Sequence, residues 1–292
     1  MQLPELSALL QALLSGLLIG ALFALAALGL SLVVGIIRIV NLMHGELVVL
    51  GAYAAYVLVQ LTGLNPLLLA PLAALLVAVL GWPIERYILQ PVVRHGAEAP
   101  LLTTFALSII LQNLLVYCAG GDTRALDSGL GAQRIGRGAL AVPTIYLIAA
   151  AIALAVCAAV HLLIARSDFG RRIRASAEQP GTAAIVGVAV RRYYALTFML
   201  AAGVAGLGGA LLAMVFSFTP SSGVEFLLTG FAVVVLGGVG SVKGTLLGGL
   251  ALGVVESLGA TLLGDGYRLF IGLVAFLLFL TLRPQGLLGR SA

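Results

Sequence analysis

Three histidines, His44, His95 and His161, and a single lysine, Lys243, are the side chains of this sequence most suited to catalysis, and none stands where catalysis would need it. A helical zinc site of the HExxH type requires two histidines on one helix face around a glutamate, and no such spacing or His/Asp cluster occurs. Ser241 lies near Lys243, but a lysine acting as base has to be sheltered, and this pair falls in a tight turn dense in glycine: Gly237, Gly238, Gly240, Gly244. The same stretch fails as a phosphate loop, because GxxxxGK[ST] needs glycine directly before the lysine and Val242 occupies that place. The sequence therefore offers no catalytic residue, no metal ligand set and no nucleotide site of its own. Cys118 and Cys157 are far apart, without CxxC or Cys/His spacing, and read as ordinary buried thiols.

The elements that carry these residues explain the lack. Of 292 residues, 61% are hydrophobic and 9% charged, too few charges for a soluble surface. Leu6–Ile37, Leu47–Ile84, Ala99–Gly121, Gly138–Ala165 and Tyr193–Val224 contain no charge at all, and about 20 apolar residues suffice for a bilayer-spanning helix. The runs are continuously apolar rather than alternating, which argues against a membrane β-barrel. The fold class is all-α: a polytopic membrane helical bundle of about 8–10 transmembrane helices. Breaks at Gly, Pro and Asn give nine spans near 10–36, 47–62, 66–84, 100–119, 143–164, 194–216, 226–241, 244–263 and 268–282. A re-entrant or broken helix is an alternative within 226–263. No Lys or Arg precedes Arg38 and the first run is too long for a signal-peptide core, so the first helix is expected to be retained.

Charge then sets orientation. With the N-terminus outside and the C-terminus cytoplasmic, the inner segments carry twelve of the 16 basic residues: Arg38, Arg86, Arg94, Arg166, Arg171, Arg172, Arg174, Arg191, Arg192, Lys243, Arg283 and Arg290. The outer segments carry Arg124, Arg134, Arg137 and Arg268. The outer loop Gly120–Arg137 is polar, with Asp122 and Asp127 offsetting its arginines, and reads either as a solvated connector or as a contact for an external partner. The basic excess thus reports topology, and no nucleic-acid partner is inferred. Small residues recur every fourth position at Gly16, Gly20 and Ala24, at Ala201, Ala205 and Gly209, and at Gly240, Gly244 and Gly248. That spacing lets helix backbones approach closely in lipid, inside one subunit or across a dimer.

An ionisable residue inside a span is a functional candidate by default. Glu256 lies about eight residues from the turn at Asp265, about 12 Å along a helix of 1.5 Å rise. A carboxylate there must be paired, protonated or wetted, and Arg268, the nearest base in sequence, is its expected partner. The competing reading is a proton-coupled carrier, which one acid without an Asp/Glu/His chain supports weakly.

The segment RSDFGRRIRASAEQPGTAAIVGVAVRRYYAL, Arg166 to Leu196, holds a small-residue helix pattern between two basic clusters, and the loop proper runs from 166 to 192. From Ser176 to Val188, Ala177, Ala184, Ile185 and Val188 form one face of a predicted helix. Glu178 stands near its start, where the helix dipole favours acid, and Pro180 limits where it can begin. Such a helix rests on anionic lipid or inserts into a groove on a cytoplasmic protein. Its Ala/Gly composition, poor in lipid affinity, favours the groove.

GRRIRASAEQPGTAAIVGVAV resembles the cytoplasmic coupling segment of permeases in ABC importers for branched-chain amino acids, the hydrophobic amino acid uptake family. RIVNLMHGELVVLGAY, Arg38–Tyr53, is similar to that family's asparagine–histidine–glycine–glutamate turn. LGGVGSVKGTLLGGLALGVVES, Leu236–Ser257, is similar to its Gly-rich segment, and RPQGLLG, Arg283–Gly289, to its C-terminal ending. The four stretches occur in order from end to end.

The resemblance implies a type II-like importer permease, one transmembrane domain over 1–292. It implies as partners a second related permease subunit, two cytoplasmic ATPase subunits and an extracytoplasmic substrate-binding protein, besides membrane lipid, in the bacterial inner membrane. No cofactor is expected on this chain; ATP and Mg2+ belong to the ATPases. By the same resemblance Gly170, Arg171, Arg174, Ala175, Glu178 and Gly187 lie on the ATPase-coupling segment. Asn41, His44, Gly45 and Glu46 form a turn that either caps helix ends at the inner face or takes part in gating. The implied substrate is a branched-chain amino acid, with urea or a short-chain amide as the alternative. Four positions depart from the family pattern: Leu42 and Met43 replace an aromatic and a small residue, Lys243 stands at a frequent proline, and Pro180 is unusual.

Overall fold

The computed structural model describes residues 6–96, 98–131, 133–136, 141–283 and 286–288. Arg137, Arg290, and Pro284, Gln285 and Gly289 of the C-terminal motif lie outside the described residues. Among those described, nine helical spans are long and apolar enough to cross a membrane, and each overlaps one predicted from the sequence. In chain order the helices are α1 (Leu6–Leu32, prolonged by a π-helical turn Val33–Ile37), α2 (His44–Thr62), α3 (Pro66–Pro83, prolonged by the π-helical Ile84–Leu89), the short α4 (Gln90–Val92) and α5 (Glu98–Ala119). A two-residue ladder, β1 (Arg134–Ile135) with β2 (Val142–Pro143), precedes α6 (Thr144–Arg166). Then follow α7 (Asp168–Glu178), α8 (Pro180–Ile185), α9 (Val190–Leu212), α10 (Gly223–Gly237), α11 (Val242–Leu263) and α12 (Arg268–Leu282).

Local sequence sets many of the boundaries. Asn65 caps α3 by accepting the Leu67 N–H at 2.9 Å, with Pro66 in the first turn where its missing donor is not needed. Ser241 caps α11 by accepting from the Gly244 N–H at 3.0 Å, so its hydroxyl ends a helix rather than facing Lys243 as a nucleophile. Gly63, at φ 68°, closes α2 in the left-handed conformation that an L side chain resists.

The small-residue stripes are all used inside this subunit. Gly16 and Gly20 of α1 meet the backbone of Gly253 and Gly249 of α11, Gly209 of α9 meets Val48 of α2, and Gly244 and Gly248 meet α10. With no water to expel, such close backbone approach supplies the van der Waals contact that holds helices together in lipid. α1 and α9 run through the centre, whereas α5 and α12 lie at the periphery with few buried residues. Cys157 is buried, but Cys118 of α5 is exposed on the outer surface, so the expectation of two buried thiols holds only for Cys157.

Loops that the charge count put on one side gather at one end. At the end carrying most of the arginines, Gln90 donates to the Arg191 carbonyl at 3.0 Å, Gly35 packs on Gly240, and the Leu287 N–H reaches the Leu236 carbonyl at 2.8 Å. At the other end Asn65 donates to the Ser128 carbonyl at 2.9 Å, and Arg124 bridges Phe218.

The turn between α10 and α11 is a simple one, and the chain doubles back elsewhere. Arg38, at φ 60°, reverses it after Ile37, and residues 39–43 return without helix until His44 lies beside Ala26. Ala26 is eleven residues before Ile37, roughly 15 Å along the helix axis. The loop helix is two helices rather than one, because Gln179 leaves helical geometry at φ −141°, ψ 82° and Pro180 opens α8. A residue before proline is pushed out of the α region. Glu178 consequently ends α7 instead of beginning a helix.

Candidate functional site

The turn Asn41–Glu46 is buried in the middle of the bundle. Asn41 is fully buried, and its Oδ1 accepts the Met43 N–H at 3.1 Å, satisfying a donor at the start of α2 as the capping alternative expects. His44, also buried, donates Nε2–H to the Ala26 carbonyl of α1 at 2.9 Å, the only role a carbonyl partner permits. Gly45 faces the Gly223 carbonyl of α10, where any Cβ would collide. Glu46 does not cap its own helix: it is 2% exposed and its carboxyl lies against Gly223, in the first turn of α10, with Ser108 of α5 nearby. Free N–H groups and the helix dipole favour an acid at that position. The turn thus joins α1, α2 and α10 deep in the bundle, and Glu46 Oε2 has no hydrogen-bond partner among the described residues.

The loop 166–192 divides its predicted residues into two groups. Ser167 caps α7 by accepting the Gly170 N–H at 3.0 Å. Gly170 is buried against the backbone of Ile164, and Arg174 donates to the Ile164 carbonyl, so these two fasten α7 to the end of α6. Ile173 adds a fully buried apolar anchor. Arg171, Ala175 and Glu178 instead form one exposed face at helical spacing. Arg171 pairs with Asp168, an exposed ion pair that contributes little stability. Arg172 donates to the Tyr193 hydroxyl at 2.8 Å and Tyr194 donates to the Ser176 carbonyl at 3.0 Å, tying α7 to α9. Gly187, at φ 86°, makes the turn that leads from α8 into α9.

Glu256 and Arg268 line one cavity of about 540 Å³ without forming the expected ion pair. Arg268 Nη2 bonds Asp265 Oδ1 at 3.1 Å, one helical turn away, because the 3-10 turn Asp265–Tyr267 presents that carboxylate first. Glu256, 4% exposed, faces α12 at Gly272. Among the described residues no group of three or more His, Cys, Asp and Glu could hold a metal ion.

Residues 12–282 match the family described as "Branched-chain amino acid transport system / permease component". The chain belongs to this permease family. It is 32% identical over 99% of its length, and 98% of the relative's, to the high-affinity branched-chain amino acid transport system permease protein BraD of Pseudomonas aeruginosa. To the corresponding permease protein LivH of Escherichia coli K12 it is 30% identical, over 96% of each chain. A more distant relative is the ribose import permease protein RbsC of Bacillus subtilis, 33% identical over 59% of this chain and 55% of that one. Among solved structures, PsaBC from Streptococcus pneumoniae in complex with Fab superposes with a TM-score of 0.51 at 15% identity, covering 95% of this chain and 92% of that one. At that identity the likeness concerns the fold alone. The protein is thus a multi-pass inner-membrane permease subunit of an ABC importer.

Ile185 falls on the predicted helix face of the loop, but two features of the permease are not marked by that pattern, the exposure of Ile185 together with Val186 and the contact of Glu46 with Gly223. Ile185 and Val186, at the end of α8, are 86% and 74% exposed beside the polar end of the bundle. Two adjacent β-branched residues at the tip of a basic loop are the signal that would have singled them out. The second is the contact of Glu46 with Gly223, which joins residues distant in the chain and leaves no local trace.

That contact has a testable cost. Gly223→Ala places a methyl group in the Glu46 carboxyl and is expected to lower thermal stability in detergent; because the obstacle is a side chain, Glu46→Ala in the same chain relieves it, with a coupling of at least about 1 kcal/mol in a double-mutant cycle. Additive effects of the two substitutions would contradict the contact.

Proposed function

We propose that the permease forms, with a second related permease subunit, the translocation pathway of an ATP-driven importer for branched-chain, hydrophobic amino acids. The observation that carries this reading is the end-to-end similarity to BraD and LivH, proteins named for branched-chain amino acid transport. On this reading residues 1–292 work as one transmembrane domain, with the N-terminus outside and the arginine-rich end, including the C-terminus, in the cytoplasm. Two cytoplasmic ATPases bind ATP and Mg2+, and an extracytoplasmic binding protein delivers substrate.

The mechanism is alternating access. ATP binding closes the ATPase pair, and the loop 166–192 transmits the motion through a rigid joint, since Gly170, Ile173 and Arg174 lock α7 to α6 while Tyr193 and Tyr194 lock it to α9. The exposed face of Arg171, Ala175 and Glu178, continued by Ile185 and Val186, is the ATPase contact. To drive exchange between outward and inward openings the ATPase must contact this face differently in its two states, because equal contact would shift nothing. The turn Asn41–Glu46 couples α2 to α10 at the depth where the pathway opens and closes.

Vesicles holding the permease with its partners are expected to take up leucine only with ATP inside the compartment that the ATPases face, and ATPase subunits are expected to copurify. Uptake by the isolated chain in ATP-free vesicles, driven by an ion gradient, would overturn the importer reading.

A further inference from the structure

The cavity between α1, α10, α11 and the start of α12 carries more charge than the bundle's structure uses. Glu225, Glu256, Asp265 and Arg268 line it, and of these only Asp265 and Arg268 are paired. Glu256 makes no hydrogen bond or ion pair among the described residues although it is 96% buried, and its carboxyl packs against Gly272 of α12 at the cavity wall. Glu225 stands in the first turn of α10, exposed toward the same space. Arg268 uses Nη2 for Asp265, while its Nη1 is without a partner among the described residues. Part of the lining is aromatic. Phe23 and Phe216 stack with centroids 6.5 Å apart and an interplanar angle of 14°, Phe226 adjoins them, and Arg268 Cζ lies 5.7 Å from the Phe216 centroid.

A buried ionised group is expensive unless a partner or water compensates it, and here an acid and a base face one space without touching. A ligand that carries both charges meets both needs. We propose that this cavity is a binding subsite of the permease itself for a zwitterionic α-amino acid with an apolar side chain. Its ammonium group sits at Glu256, helped by Glu225; its carboxylate sits at Arg268; its side chain lies on Phe23, Phe216 and Phe226. The cavity's volume of about 540 Å³ falls within the ~300–1,000 Å³ usual for small-molecule sites. A neutral amide or urea leaves both charges unanswered, and an amine or an acid alone leaves one. Selection therefore continues inside the membrane, after the binding protein has released its substrate. The subsite deepens the importer reading and rests on it.

A lipid-soluble carbodiimide modifies carboxyl groups in apolar surroundings, and Glu256 of the wild-type permease, assembled with its ATPases in vesicles without binding protein, is the target followed by peptide mass spectrometry. Leucine is expected to slow the modification, whereas isovaleramide, 4-methylpentanoate, isoamylamine and urea at the same concentration leave it unchanged. Arg268→Gln is expected to raise the protecting leucine concentration roughly tenfold, the loss of one charged hydrogen-bond partner. Glu256→Gln, close in shape, is expected to raise half-saturation of ATP-driven leucine uptake by a similar factor of about ten with unchanged coupling to hydrolysis. No modification of Glu256 in the absence of leucine, protection by isovaleramide equal to that by leucine, or undiminished protection in Arg268→Gln overturns the subsite. Complete vesicles supplied with binding protein and ATP separate the two failures: absent leucine uptake by the wild type refutes the importer itself, and normal uptake without protection refutes the subsite alone.

Discussion

Glutamate at both Ile185 and Val186 is expected to abolish ATP-driven uptake and the copurification of ATPase subunits, while the permease itself reaches the membrane at normal abundance. The two side chains are 86% and 74% exposed, so replacing them removes no contact within the bundle. Full burial of one such side chain against a partner contributes about 1.5–3 kcal/mol, so loss of the pair weakens docking by roughly two to four orders of magnitude. Charge at a desolvated interface adds to the loss. Gly170→Val is expected to behave differently, because it forces α7 off Ile164 and changes the α6–α7 joint rather than the proposed docking face, lowering abundance along with uptake. Quantitative immunoblots, ATPase retention on the purified permease and uptake distinguish the two patterns. Full uptake and full ATPase retention in the double glutamate variant would assign Ile185 and Val186 to the lipid surface and remove them from the coupling face.

The second large effect is expected at Gly209. A side chain there runs into the Val48 carbonyl of α2, an obstacle made of backbone, and the same two helices also meet without side chains at Gly51 and Gly206. Relief requires α2 and α9 to separate along their length, and α9 is simultaneously held by α1 at Gly208 and Ala26 and by α3 at Gly206 and Val77. Overpacking a core commonly costs about 1–3 kcal/mol and more where nothing yields, a large share of a total stability of about 5–15 kcal/mol. Gly209→Val is therefore expected to reduce folded permease at least about tenfold, and no truncation of a side chain nearby rescues it, unlike the Gly223 and Glu46 pair. Gly181→Ala, where nothing lies within 4 Å, is the matched control and is expected to change stability by less than about 0.5 kcal/mol. Thermal unfolding in detergent and membrane abundance measure both. Wild-type abundance of Gly209→Val would show that α2 and α9 do not pack at this distance.

The sequence by itself determined whatever depends on the neighbours along the chain. Long apolar stretches broken at Gly, Pro and Asn specify nine spans, and their order alternates the loops between two ends, because each helix satisfies its own backbone and must cross once. The basic clusters around 166–192 and the turn Asn41–Glu46 were legible as charge and motif, and Asn41 caps a helix end as its residue type suggests. Pro180 was legible as a helix start. That it divides the loop into α7 and α8, and so leaves Glu178 at a helix end, follows from the backbone that Gln179 must adopt before it.

Only the tertiary structure decided which side chains meet. Arg268 was assigned to Glu256 because it is the nearest base in sequence, yet helix geometry sets Asp265 closer, and the freed Glu256 becomes a wall of the cavity. Gly170 and Arg174 were placed with the coupling contacts but join α7 to the end of α6, whereas Arg171, Ala175 and Glu178 are exposed together on one side of α7. The glycine stripes proved internal, and Glu46 found Gly223 on a helix far along the chain. The physical reason is common to all of these. In lipid, outward-facing and inward-facing residues are equally apolar, so composition carries no record of which helix faces which; that record exists only in the close fit of one backbone against another.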